Sequence, residues 1–335
     1  MNQRVDIIGA GLAGTEAAWQ LAEKGVAVRL FDMKPEKFSS AHKMPQFAEL
    51  VCSNSLRSDD PANAAGLLKE EMRSLGSLMM QAAEASRVPA GKALAVDRKL
   101  FSEYITEKLC THPLIEVVHK EILSLDELRE SGSEGSRYVL IATGPLTSET
   151  FSKEIAKLTG GEHLYFYDSV APIVDASSID FEKGYMASRY GYGGDDYWNF
   201  PLTEEEYNQF HMDLAAAKKV TVRDFEDPIY FEGCLPIETM AERGPGTLRH
   251  GPMKPFGLRD PKSGKEPYAI IQLRQENRER SMLGIVGFQT RLTWPEQKRI
   301  FSKFPGFSDA IFLRYGVIHR NTYINSPKLL DENLE

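Results

Sequence analysis

The chain has 335 residues, 42% hydrophobic and 26% charged. This suits one large or two ordinary domains with a sizeable core and argues against wholesale disorder. No apolar run approaches the ~20 residues that cross a bilayer, so no membrane association is expected. Three cysteines without a CxxC fit a reducing cytoplasm better than a disulfide framework, and seven histidines without HExxH or CxxC…H spacing lead us to expect no metal.

The net charge of −8 is unevenly spread. Residues 243–320 hold 15 Lys/Arg against 6 Asp/Glu, a net +9, and the remainder carries −17. Such a stretch suits a polyanion, or a basic face that happens to be continuous in sequence.

A strand pattern begins almost at Met1, so no secretory signal is expected ahead of it. In "RVDIIGAGLAGTEAAWQLAEKGVAVRLFDMKP" (4–35), Val5, Ile7 and Ile8 form a short buried strand. Gly9, Gly11 and Gly14 make G-x-G-x-x-G, and Ala17, Ala18, Leu21 and Ala22 recur at helical spacing until Gly25 ends the helix. "VAVRLF" is a second strand closed by Asp32. This is a dinucleotide fingerprint in its proper setting. Gly9 permits the tight turn, Gly11 lets backbone approach a pyrophosphate, Gly14 allows close helix–strand packing, and Asp32 can accept from ribose hydroxyls. A glycine-rich turn without a ligand accounts for the glycines alone, but not for strand, helix, second strand and terminal acid together.

Residues 47–60, "FAELVCSNSLRSDD", set Cys52 among polar residues and Arg57 rather than among core fillers. Residues 59–86 read as one long helix capped by Asp60, with Pro61 at its first position and Leu67, Leu68, Met72, Leu75 and Leu78 as its apolar stripe. Met79 and Met80 read as core. Residues 92–113 read as a short strand and a helix whose Cys110 packs. "ESGSEGS" (130–136) is a polar turn, and "YVLIATGP" (138–145) a fully apolar strand ending in Ala-Thr-Gly. "RYGYGGDDYWNFP" (189–201) is an aromatic loop that could stack bases or simply pack. Thr203 and Glu206 have capping-box spacing at the head of a helix over 203–220. Residues 227–244 read as strand, turn and short helix with Pro236 in its first turn, and two further segments add strands and one helix.

The stretches "GAGLAGTEAAWQLAEKGV", "FAELVCSNSLRS", "GLLKEEMRSLGSL", "RVPAGKALAVDR", "YFEGCLPIE", "GPMKPFGL" and "HRNTYINSPKLL" run from residue 8 to residue 330. With them the chain resembles the TrmFO family, the folate- and FAD-dependent tRNA (uracil-5-)-methyltransferases related to GidA. The resemblance implies an α/β fold: a Rossmann-like FAD-binding domain of the GR2 flavoprotein type with an inserted α+β domain. Residues 1–185 would form the first part of the FAD domain, 186–315 the inserted substrate domain, and 316–335 the start of the return. Family members continue for about a hundred residues beyond "INSPKLL", so the chain is expected to be a shortened member or a fragment.

The implied reaction transfers the carbon of 5,10-methylenetetrahydrofolate to C5 of uridine 54 in the T-loop of tRNA, with FAD as carrier and NAD(P)H as reductant. A related flavoprotein acting on ribosomal RNA or on the tRNA wobble uridine, and an inactive fragment, are the alternatives. Uracil C5 is a poor nucleophile, and a thiolate adding at C6 turns it into an enolate carbon. Cys234, just ahead of a helix start, suits that attack because a helix N-terminus favours thiolate. The resemblance makes Cys52 its catalytic partner, a candidate for the base that removes the C5 proton. It also implies cofactor contacts from Gly9, Ala10, Gly11, Leu12, Ala13, Gly14 and Asp32, from Ser53, Asn54 and Arg57, from Gly144 beside the flavin, and from His319 and Asn321. Arg274, Lys298 and Arg299 are candidates for tRNA phosphates.

Overall fold

Ile7 and Ile8 on the first strand and Val28, Leu30 and Phe31 on the second are almost fully buried, as expected for parallel strands covered on both faces. The computed structural model describes residues 4–130, 136–160, 164–191, 194–221 and 229–332. In it β1 (Arg4–Ile8) and β2 (Ala27–Asp32) pair in parallel, and α1 (Leu12–Glu23) connects them. Ile115–His119 adds in parallel beside β2, and Ser136–Ile141 in parallel beside β1. The four-stranded order is thus Ile115–His119, β2, β1, Ser136–Ile141. Gly25, at φ +80°, ends α1 as expected.

Two expectations for this half are corrected. Residues 59–86 form two helices, Ala64–Ser74 and Leu78–Ala85, capped by Asn63 and Ser77 rather than by Asp60. Gly76 at φ +71° breaks the run, and the Ser77 side chain restarts it by accepting from Met80 N. Leu78, Met79 and Met80 pack in the core, but Leu67, Leu68 and Leu75 are exposed. The "YVLI" strand is not enclosed either. Tyr138, Val139, Leu140 and Ile141 are 37–52% exposed, because this strand lies outermost among the described strands of its sheet. Cys110 is exposed rather than packed. The polar turn read at 130–136 falls largely outside the described residues.

The second half is built on a six-stranded sheet in the order Tyr185–Met186, Tyr197–Leu202, Ala269–Gln275, Met282–Ile285, Ile173–Asp175, Phe312–Arg314, with antiparallel neighbours throughout. Since Ile173–Asp175 is a member, this unit starts ahead of the boundary expected at residue 186. Its helix Glu204–Ala216 opens with the anticipated capping box of Thr203 and Glu206. Phe210, Phe288, Phe301, Phe304 and Phe307 form one buried aromatic cluster, with Phe210 and Phe304 ring centroids 5.0 Å apart. Truncating one such ring to Ala costs about 3–5 kcal/mol. Strand Leu164–Ser169 leads into this unit, Ile318–Tyr323 leads out, and the two pair antiparallel with His319 opposite Asp168. That ribbon, and the loop carrying Cys52, lie where the halves meet.

Candidate active site

The Cys52 loop is pinned at both ends. Ala48 N donates to Ala10 O in the glycine turn at 2.9 Å. At the other end Asn54, 0% exposed, donates to Val96 O and Gln275 O and accepts twice from Arg274, at 2.7 and 3.1 Å. Between them, Arg98 donates to Leu50 O and, at 3.4 Å, to Cys52 O, while Arg314 donates to Val51 O at 2.7 Å. Arg98 is itself paired with buried Glu276 at 2.9 Å. Three cationic side chains thus fix the loop between the nucleotide turn and the inserted sheet.

Cys234 arrives from the other half on a short turn, Glu232–Cys234, in which Glu232 and Gly233, like the preceding Phe231, are exposed. Its Sγ lies 3.9 Å from Cys52 Sγ, and Cys52 Sγ is 3.8 Å from Ser169 O. The Asp168 carboxylate completes the group, with all three reactive atoms within 4.8 Å of one another. His319 Nε2 stands 3.9 Å from Asp168 Oδ2.

The electrostatics divide the two thiols. The hydrogen bond from Cys234, helped by Arg98 and Arg314, lowers the pKa of Cys52 against its burial and Asp168. The same contact, with burial and Asp168, pushes Cys234 far above the ordinary thiol range. Of the two thiols, Cys52 is therefore the one more ready to ionise and Cys234 the one that holds its proton more tightly. This corrects the helix-start argument. Pro236 is the N-cap of a six-residue helix, and Cys234 lies outside it in a separate turn. Burial lowers the pKa of His319, which leaves its imidazole neutral at pH 7.

A cleft of about 710 Å³ lies over the glycine turn, lined by Gly9, Ala10, Gly11, Asp32, Lys34, Glu49, Thr143 and Thr147 among others. Gly9 has φ +102°, and a Cβ on Gly14 would stand 1.8 Å from Gly9 O, so turn and packing demand glycine at both. A Cβ on Gly11 meets nothing within 4 Å, and Gly11 caps α1 with no side chain on its amides. Leu12 and Ala13 begin that helix, exposed. Asp32 accepts from Ala10 N at 2.8 Å and from Lys34 N at 2.9 Å, bracing the turn. Gly144, at φ +68°, follows cleft-lining Thr143. Nearer the cysteines, His319 Nδ1, Asn321 Oδ1 and Ser169 Oγ are buried without a hydrogen-bond partner. Each such group costs about 1–3 kcal/mol if nothing pairs with it. An anion cradle at a helix N-terminus and a run of unpaired polar atoms fit FAD.

Other candidates sit differently. Asn54 has its side chain hydrogen-bonded to Val96, Gln275 and Arg274, so it shapes the loop. Ser53 Oγ faces Arg274 at 3.2 Å. Arg57, exposed at φ +67°, lines a separate groove with Lys92, Arg189 and Tyr197. Arg274 is held on the Cys52 loop by Asn54 and Ser53. Arg299 is paired with Glu296 and Asp213, while Lys298 is exposed. Asp168, Arg98 and Arg314 were missed. Arg98 closes the quoted "RVPAGKALAVDR" stretch, but no spacing marks the other two. The sequence spacing gave no hint that the reactive atoms of Cys52, Asp168 and Cys234 come within 4.8 Å of one another.

The comparisons with known proteins bear on family and fold. The family model for Glucose inhibited division protein A matches residues 4–335. The methylenetetrahydrofolate–tRNA-(uracil-5-)-methyltransferase TrmFO of Citrifermentans bemidjiense is 59% identical over 331 residues, 98% of this chain and 74% of that protein. The TrmFO of Aquifex aeolicus is 54% identical, covering 100% of this chain and 73% of its own length. The chain thus spans about three-quarters of these relatives. A crystal structure of Aquifex aeolicus GidA superposes with a TM-score of 0.68 at 16% identity, covering 100% of this chain and 58% of that one, which shows the shared fold. The chain belongs to the GidA family and, within it, to the TrmFO proteins.

Proposed function

We propose that this protein methylates C5 of uridine 54 in the T-loop of tRNA, in the cytoplasm, with 5,10-methylenetetrahydrofolate as carbon donor and NAD(P)H as reductant. The observation that carries the reading is the pair of thiols, 3.9 Å apart, between a nucleotide cleft and the inserted domain. FAD, when bound by the glycine turn, Asp32 and the polar atoms of Ser169, His319 and Asn321, supplies the one-carbon carrier and the electrons.

The chain's own residues supply the covalent catalysis. Cys234 rides on the exposed turn and meets the base. Cys52 lies behind it, held by Arg98 and Arg314. As the Cys234 sulfur adds to uracil C6, its proton passes to the Cys52 thiolate, and C5 gains enolate character. Cys52 releases that proton to solvent before the second half of the reaction. After C5 has taken up the carbon, the Cys52 thiolate accepts the C5 proton. The C5=C6 bond re-forms and Cys234 leaves as a thiolate.

A groove of about 970 Å³ runs from Glu232 and Leu235 past Arg243 to His250. Beyond it stand Lys254, 5.8–6.0 Å from the rings of exposed Phe256 and Tyr190. Basic and aromatic groups together suit a single-stranded RNA segment with bases turned out.

The test is nucleoside analysis of tRNA and ribosomal RNA from a deletion strain. Loss of 5-methyluridine at position 54, restored by the wild-type gene and not by Cys234→Ala, is the expected result. Intact 5-methyluridine at 54, with loss in ribosomal RNA or at the wobble uridine, overturns it.

A further inference from the structure

We propose that Cys52, Asp168 and Cys234 form a binding site for a thiophilic divalent cation, Zn²⁺ being the case to test, and that its occupancy closes the catalytic pair. Two Zn–S bonds of about 2.3 Å at a tetrahedral angle place the sulfurs about 3.8 Å apart. Here they stand 3.9 Å apart before any ion is added, with a carboxylate oxygen within 4.8 Å of both. The three ligands come from separate segments, and this is why no sequence spacing announces them.

The surroundings suit a bound cation. Asp168 Oδ1 accepts from Ser169 N at 2.9 Å, and Oδ2 faces His319 Nε2, the outer arrangement that orients a ligating carboxylate. Three protein ligands leave the fourth tetrahedral position to a water molecule. Two thiolates and one carboxylate prefer a borderline-soft ion to Mg²⁺, which favours six oxygens. Binding is not a redox step. Each thiol still protonated gives its proton to solvent as its sulfur bonds the ion, so affinity rises with pH. A sulfur bonded to the ion shares its charge with it and is held in the coordination shell, so it adds to uracil more slowly. That last consequence rests on the methyltransferase reading, whereas the metal site does not.

The test uses the full chain, treated with chelator and then dialysed. Co²⁺ serves as the spectroscopic probe and Zn²⁺ is titrated against a fluorescent indicator. One Zn²⁺ per chain is expected, together with a thiolate-to-Co²⁺ charge-transfer band. Zn²⁺ should also protect two of the three cysteines from a thiol reagent. Cys52→Ser and Cys234→Ser should lose the band. Asp168→Asn should weaken Zn²⁺ about tenfold or more, and Cys110→Ser should bind as wild type. A wild-type protein with no charge-transfer band, or one in which Zn²⁺ protects no thiol, overturns the site even if a serine variant fails to fold. Zn²⁺-loaded protein that methylates RNA at the metal-free rate overturns the closure while leaving the site intact.

Discussion

Cys52 Sγ lies 3.9 Å from Cys234 Sγ, although 182 positions separate the two residues in sequence. The contact makes the thiols one titrating unit in which each sets the other's proton affinity. Cys52, near Arg98 and Arg314, takes the negative charge, and Cys234, beside Asp168, keeps the proton.

That division predicts a pH effect. The Cys52 pKa is depressed, and a thiolate exists above its pKa. Removing a nearby cation raises that pKa and lowers the thiolate fraction at neutral pH. Arg314→Gln should therefore shift the alkylation profile of Cys52 with iodoacetamide toward higher pH and slow alkylation several-fold at pH 7. Arg98→Gln should do the same but also destabilise the fold, because buried Glu276 loses the nearer of its two guanidinium partners and keeps only Arg274 at 4.0 Å. An unchanged profile for Arg314→Gln would show that the guanidinium does not tune the thiol.

The glycine turn makes a separate prediction about flavin. The Cβ position of Gly11 opens onto free space at the head of α1. Gly11→Val should fold normally by circular dichroism yet bind FAD at least about tenfold more weakly, since its branched side chain fills the room a pyrophosphate needs. Gly14→Val should fail differently, losing helicity and thermal stability because its Cβ has only 1.8 Å to the Gly9 carbonyl oxygen. Equal FAD affinity in Gly11→Val and wild type would remove the pyrophosphate from this turn.

For RNA, the structure divides the basic stretch into spent and free charges. Arg299 is committed to Glu296 and Asp213, Lys303 to Asp213, Arg274 to Asn54 and Arg314 to Val51. Lys254→Glu should weaken tRNA binding and make its salt dependence shallower by about one counterion. Tyr190→Ala should cost about 1–3 kcal/mol of affinity if a base stacks there. Lys298→Glu should weaken tRNA binding less than Lys254→Glu, and Arg299→Glu should mainly disturb its surface ion pairs, worth about 0.2–1 kcal/mol. Filter binding across a salt series checks the ranking. A larger loss from Arg299→Glu than from Lys254→Glu would move the RNA surface to the helix bearing Arg299.

What could be read in the sequence was local. The glycine fingerprint, Asp32, the end of α1 at Gly25 and the Thr203–Glu206 capping box each follow from a few neighbouring residues. The break at Gly76 was missed because leucines continue the helical period across it, while Ser77 supplies the cap that restarts the chain. The placement of Asp168 beside both cysteines depends on the pairing of Leu164–Ser169 with Ile318–Tyr323, strands about 150 residues apart. The engagement of Asn54 with Arg274 likewise needs two halves of the molecule to meet. Basic residues counted together as a surface stretch proved to include two, Arg274 and Arg314, that hold the Cys52 loop. A charge count cannot separate those two uses.

The most direct test of the cysteine account is the site of the covalent bond to RNA. A T-loop RNA carrying 5-fluorouridine at the target has no C5 proton to lose, so the adduct should accumulate in the presence of FAD, reductant and 5,10-methylenetetrahydrofolate. Wild type and Cys110→Ala should give a protein–RNA species of shifted mobility, and peptide mapping should place the bond on Cys234. Cys234→Ala should abolish it. Cys52→Ala should form some adduct slowly while losing methylation of normal RNA. A bond mapped to Cys52, or an adduct that survives Cys234→Ala, would contradict the assignment of Cys234 as nucleophile and Cys52 as its proton acceptor.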